Sequence, residues 1–198
     1  MSHLLLLHSA LGLRPAVTDF ADRLRERGHT VETPDYYDGT VFDDEQAGIA
    51  HRDAVGTKEL FGRLSETVAA LPDDAALAGF SLGSAFAQTL AARRPQARAV
   101  ILMHSVAAPR GDWQGQPVQV HRYAEDDWID PADVEALGAT VRASGATFTD
   151  HVVPGRGHLF TDLGTADGHE QALADTVDQV DALLRAEAGD GSPTTPRS

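Results

Sequence analysis

The chain has 198 residues, with 30 acidic against 16 basic side chains, a formal charge of −14 and no cysteine. That length suits one domain with a sizeable core and would cramp two. The charge argues against a nucleic-acid phosphate backbone as partner, and the missing cysteine removes disulfides, thiolate metal sites and cysteine nucleophiles together. At the start, MSHLLLLHSA holds only four consecutive leucines between histidines and has no basic leader, so a buried strand is expected rather than an export signal. No segment approaches the roughly 18–20 apolar residues of a membrane helix, and the expectation is a soluble, cytoplasmic protein that binds no membrane.

Apolar runs alternate with helical patterns. LLLLH at 4–8 reads as a fully buried strand, followed by a helix from about Pro15 to Arg27 that ends at Gly28. HTVET (29–33) reads as a short second strand, then PDYYDGTVFDDEQAG as an irregular acidic loop, then a long helix from about Arg52 to Leu71 closed by Pro72. AALAG (75–79) is the third strand, and Phe86 to Arg93 lies in the helix after it. RAVILMH (98–104) and PVQVHRY (117–123) are the fourth and fifth strands; a helix from about Pro131 to Ser144 precedes ATFTDHVV (146–153), the sixth. A last helix covers roughly Gly168 to Ala186, and the Pro/Ser/Thr/Gly-rich tail, 187–198, is expected to be disordered. Strands alternating with helices of ten or more residues imply βαβ units and a parallel sheet, here an α/β domain over residues 1–186.

GFSLG (79–83) falls where the third strand becomes a helix. Two glycines there could serve only to let the helix lie close to the sheet. The chemical alternative is a nucleophile elbow, a sharp strand-to-helix turn that exposes the Ser81 hydroxyl above the sheet edge. A serine needs a base, and His158, on the Gly-rich loop of VVPGRGHLFTD, can swing over that edge. His8 and His104 also end strands, and read as buried polar groups before they read as bases. The base in turn needs an acid to hold its tautomer, and YAEDDWIDP offers Asp126, Asp127 and Asp130. Serine, acid, histidine is the chain order of α/β-hydrolases, and all three groups sit at carboxyl ends of strands, where open parallel sheets bind ligands. Oxyanion donors are expected from the backbone N–H groups of Leu82 and of Ala10 in HSALG.

With GFSLGSAFAQ, HRYAEDDWID and PGRGHLFTD all in place, beside PDYYDG and EQAGIAHRD, the chain resembles the dienelactone hydrolase family of the α/β-hydrolases from Leu4 to about Leu184. The resemblance implies a minimal α/β-hydrolase fold, a six-stranded parallel sheet in the order 2-1-3-4-5-6 without the two opening antiparallel strands of the fuller fold. It also favours Asp126 as the acid, since D-D-W-I matches the family's spacing. The family's namesakes use cysteine where this chain has Ser81. Their gating glutamate corresponds to Ser9, and the arginines that grip the dienelactone carboxylate fall at Gly39 and Asp162. With both basic groups gone, an ester other than a dienelactone is expected.

The expected function is therefore a serine hydrolase that cleaves carboxylic esters or lactones through an acyl-enzyme, with no cofactor and no metal, as a monomer or homodimer. An acyltransferase or thioesterase would use the same residues, and a silent hydrolase fold serving as a binding module is the non-enzymatic alternative. Only about a dozen residues, SVAAPRGDWQGQ, separate the fourth and fifth strands, too few for a helical cap, so the site is expected to be open and shallow. Leu11, Tyr37, His104, Trp128 and Phe160 are the expected lining of an acyl pocket. Arg14, Arg52 and Arg156 are the basic residues expected nearest the site. The surface charge would repel anionic substrates at long range, though salt screens it beyond about 8–10 Å, and neutral short-chain esters are expected to be preferred.

Overall fold

The computed structural model describes residues 1–189. Six parallel strands form one sheet: β1 (His3–Leu7), β2 (Thr30–Glu32), β3 (Ala76–Phe80), β4 (Val100–Met103), β5 (Val118–Glu125) and β6 (Phe148–Arg156), in the order β2-β1-β3-β4-β5-β6. Central strands buried on both faces need apolar residues at every position, which is why LLLL and ALAGF show no alternation. Leu4 to Leu7 lie in register with Ala76 to Gly79, so the first and third strands are neighbours at the middle of the sheet.

The side chains of these strands divide by parity between two apolar layers. Leu4, Leu6, Ala76, Ala78, Ile101 and Met103 face one side, where α1 (Pro15–Glu26) and α7 (Glu170–Gly189) cover them through Phe20, Leu24, Val177 and Val180. Leu5, Leu7, Leu77, Val100 and Leu102 face the other, against α5 (Leu82–Ala91) and α6 (Pro131–Ala143) through Phe86, Leu90, Leu137 and Val141. The helices after β1 and β3 thus leave on opposite faces, and a crevice opens between the carboxyl ends of those two strands.

The expected helix from Arg52 to Leu71 is three helices instead: α2 (Glu45–Val55), α3 (Thr57–Gly62) and α4 (Ser65–Ala70). Asp44 starts α2 by accepting the Ala47 N–H at 2.8 Å, inside the stretch read as irregular loop. Gly56, at φ 88°, breaks the run after α2. Helix α7 continues to Gly189, three residues into the stretch expected to be tail; the rest of that expectation lies outside the described residues. Residues 104–117, between β4 and β5, contain no helix, so no cap is inserted there. No described helix is long and apolar enough to cross a membrane.

Candidate active site

Strand β3 delivers Ser81 to the crevice in a backbone conformation that L residues avoid, φ 50° and ψ −107°. Such a residue costs on the order of 1–3 kcal/mol and persists only where its surroundings hold it. Here the Ser81 N–H donates to the Met103 carbonyl at 2.8 Å, and the Ser81 carbonyl accepts the Ser84 N–H at 2.9 Å. Ser84, fully buried below, has its Oγ 2.6 Å from the Gly79 carbonyl and accepts the Met103 N–H at 2.9 Å. A Cβ on Gly79 would lie 2.1 Å from the carbonyl carbon of Gly83, and one on Gly83 would lie 2.3 Å from the Leu7 carbonyl oxygen. Close packing and exposure of the hydroxyl are therefore one requirement, because the turn can be this sharp only if both flanking residues lack a side chain.

The loop after β6 brings His158 over Ser81. Its backbone N–H donates to Asp167 at 2.8 Å, its Nε2 lies 2.9 Å from Ser81 Oγ, and its Nδ1 lies 2.8 Å from Asp126 Oδ2. An ionised carboxylate only accepts, so Nδ1 carries the proton and Nε2 is left to accept from the serine hydroxyl. The Asp126 side chain is 1% exposed, and its other oxygen accepts the Trp128 N–H at 2.9 Å. Asp127 points the other way, 82% exposed and paired with Arg156 at 3.0 Å. Asp130 caps α6 by accepting the Ala132 N–H. Of the three aspartates in the segment, the structure brings only Asp126 to His158.

A cleft of about 170 Å³ lies over Ser81 and His158, walled by Ser9, Ala10, Leu11, Glu45, Ile49, Arg52, Leu82, Ala85, Ser105, Trp128 and Leu159. Leu82 is the first residue of α5, where backbone N–H groups have no intrahelical acceptor. Among the described residues, neither its N–H nor that of Ala10 donates to another backbone group, whereas the Leu11 N–H is engaged by Ser9 Oγ at 3.1 Å. Two donors are thus left at the cleft wall. Helix α2 backs the Ala10 loop so closely that a Cβ on Gly48 would come within 2.3 Å of the Ala10 carbonyl oxygen.

Three of the expected pocket residues do not line this cleft. His104 is buried behind His158, with Nε2 2.8 Å from Thr161 Oγ1. Burial, with His158 and His121 nearby, holds its imidazole well below the usual range, so it is a neutral support. Phe160 is fully buried between His104 and Tyr123. Tyr37 packs edge-on against His8 and His51, and burial pushes its phenol up to about 12. In each case the side chain turns down into the packing beneath the loop instead of up into the cleft. Leu11 and Trp128 do line it, the Trp128 ring lying 5.8 Å from that of His158.

Of the three arginines, only Arg52 reaches the cleft, and it is paired with Asp53 at 2.8 Å. Arg14 instead ties three loops together through Asp162, Asp43 and the Phe42 carbonyl. Arg156 stays on the surface with Glu125 and Asp127. The sequence reading missed Ser9, Glu45, Ile49, Ala85, Ser105 and Leu159 as lining. The signal for Glu45, Ile49 and Arg52 was the i, i+4, i+7 spacing of one helix face, hidden while EQAG was read as loop and the helix was started at Arg52.

A sequence model described as the dienelactone hydrolase family matches residues 2–187. The chain belongs to the dienelactone hydrolase family. It is accordingly a hydrolase of the carboxylic-ester type. Among curated proteins none matches it significantly. A dienelactone hydrolase-like promiscuous phosphotriesterase from metagenomic libraries superposes with a TM-score of 0.76 at 20% identity, covering 94% of this chain and 86% of the other. A putative dienelactone hydrolase from Klebsiella pneumoniae gives 0.73 at 19% identity, with 93% and 88% covered. A cold-adapted esterase from an Arctic intertidal metagenomic library gives 0.64 at 18% identity, with 92% and 83% covered. At these identities the likeness is one of fold. Within the dienelactone hydrolase frame, Gly39 is an open turn at φ 81°, and Asp162 is neutralised by Arg14 at 2.9 Å.

Proposed function

We propose that this dienelactone hydrolase relative cleaves neutral carboxylic esters or lactones by acyl transfer to Ser81. In this reading Ser81 Oγ attacks the carbonyl carbon while His158 Nε2 takes the hydroxyl proton, and Asp126 holds the imidazole tautomer and stabilises the cation that forms. The negative charge gathers on the former carbonyl oxygen, where the free Ala10 and Leu82 N–H groups receive it. His158 then returns its proton to the leaving alkoxide, the C–O bond breaks, and an alcohol departs. Water repeats the sequence on the acyl-enzyme, giving a carboxylic acid and free Ser81.

The observation that carries this reading is the continuous chain Asp126–His158–Ser81, at 2.8 and 2.9 Å, ending on a strained serine at a helix start. A neutral substrate is favoured because the one arginine in the cleft is already paired and Glu45 stands in the same wall. The test is a panel of p-nitrophenyl esters run beside a carboxylated lactone. Ser81→Ala is expected to abolish ester turnover with an unchanged melting curve. Retained activity removes the serine mechanism, and a clear preference for the anionic lactone overturns the neutral-substrate reading in favour of Arg52.

A further inference from the structure

A second cavity, about 320 Å³ and so larger than the cleft over Ser81, lies along α5 on the side of the β4–β5 connection. The two share Ala85 as wall. Helix α5 borders both. Its buried face carries Gly83, Phe86, Ala87 and Leu90. Its outer face carries Leu82, Ala85, Gln88, Thr89 and then Ala92, at the spacing of one helical stripe. A path that starts at Ser81 and follows this stripe to Ala92 is roughly 16 Å long at 1.5 Å per residue.

The opposite wall is built, since the segment from Ala107 to Gln116 is fastened to α5 at two places. The Gln88 side-chain amide donates to the Ala107 carbonyl at 2.7 Å and accepts the Ala107 N–H at 3.1 Å. Gln116 is buried and donates to the Ala91 and Arg94 carbonyls at 3.0 and 3.1 Å. Between these anchors stands Trp113, fixed by its indole N–H on the Gln116 carbonyl at 2.7 Å. Ala85, Ala92, Ala108, Pro109 and Trp113 give the trough a mainly apolar lining, with Arg93, Arg110 and Asp112 also in its walls.

We infer that this trough takes the acyl chain of the substrate, so that the preferred esters carry an extended apolar acyl group. This rests on the Ser81 hydrolase reading and names the substrate class for it. The acyl arm is assigned because the leaving group must sit by His158 to receive its proton, and neither His158 nor Trp128 nor Leu159 lines the trough. The inference replaces the short-chain preference expected from the open cleft alone.

The experiment measures kcat/KM for p-nitrophenyl acetate, butyrate, octanoate and dodecanoate with the full chain. Specificity is expected to rise about tenfold or more from acetate to dodecanoate, a fraction of what full burial of ten methylenes would give. Thr89→Phe and Ala92→Phe place a ring in the trough from exposed helix positions roughly 12 and 16 Å along the stripe. Each is expected to lower the dodecanoate-to-acetate ratio at least fivefold, and the block at Thr89 should act on shorter chains than the block at Ala92. A Ser81-dependent acetate activity with no rise along the series overturns the inference while leaving the hydrolase reading standing. A rise that both phenylalanine variants keep also overturns it, placing the acyl chain elsewhere. No turnover of any ester removes the hydrolase reading and this inference with it.

Discussion

Replacing Asp126 by asparagine tests the site more sharply than removing the serine, because the structure says how the replacement fails. Two donors converge on the two oxygens of this nearly buried carboxylate: His158 Nδ1–H at 2.8 Å and the Trp128 N–H at 2.9 Å. An asparagine offers one acceptor oxygen and one NH2 group, so it cannot satisfy both. If its oxygen keeps the Trp128 turn, its NH2 faces Nδ1, and the imidazole must move its proton to Nε2. That proton then points at Ser81 Oγ, and no base remains. A wrong tautomer of this kind costs about four orders of magnitude in kcat in serine proteases, or about 5 kcal/mol of transition-state stabilisation. Asp127 provides the internal control. Its partner is the exposed Arg156, and a solvent-screened surface pair contributes little, so Asp127→Asn should change kcat less than about fivefold. The assay is initial-rate hydrolysis of p-nitrophenyl acetate near pH 8, with thermal melts to show that both variants fold. An Asp126→Asn enzyme keeping more than about a tenth of wild-type kcat would refute the argument. So would an Asp127→Asn loss of equal size.

Two further outcomes concern stability. Burial lowers His8 to about 4, against an opposing pull from Asp35, and also pushes His104 and His121 downward. A histidine whose folded value lies below its unfolded one, near 6.5, contributes stability that is complete above about pH 6.5 and is lost as pH falls toward the folded value. For His8 the loss is about 2 kcal/mol at pH 5. Guanidinium midpoints should therefore fall steadily from pH 6.5 to 5, before most carboxylates titrate, and a flat midpoint over that window would contradict the neutral buried imidazoles. Gly83→Ala drives a Cβ against the Leu7 carbonyl oxygen, a backbone atom that cannot swing aside. A loss of roughly 1–3 kcal/mol and a melting point lower by several degrees are expected, together with reduced ester turnover as Ser81 and the Leu82 N–H shift; an unchanged melting point would refute the close approach.

How far the sequence reached follows from what each segment does. The parallel strands were legible because burial on both faces demands unbroken apolar runs, and the alternating helices set the topology. The approach of His158 to Ser81 was legible because their loops are short and glycine-rich at strand ends, where few geometries are open. Asp126 and Asp127 were not separable by triad logic alone, since adjacent residues on a turn point opposite ways and either could be the inward one. What decides between them is the Trp128 N–H, a backbone donor with no side-chain signature. The pocket walls were the least legible part. His104, Phe160 and Tyr37 are the right residue types near the right loops, yet a strand-end side chain faces the cleft or the core according to one backbone rotation. At His104 that rotation is a left-handed φ of 66°, which spacing does not announce. Helix α2 was hidden for a related reason. Its central Gly48 weakens helix propensity, and its contact surface is the Ala10 loop rather than the sheet, so no broad apolar stripe marks it. The residues that present a substrate to Ser81 thus lie on elements whose hydrophobic pattern is faint because they face a solvent-open cleft. The elements that hold Ser81 are apolar throughout, which is why the proposed chemistry could be read from this chain before specificity.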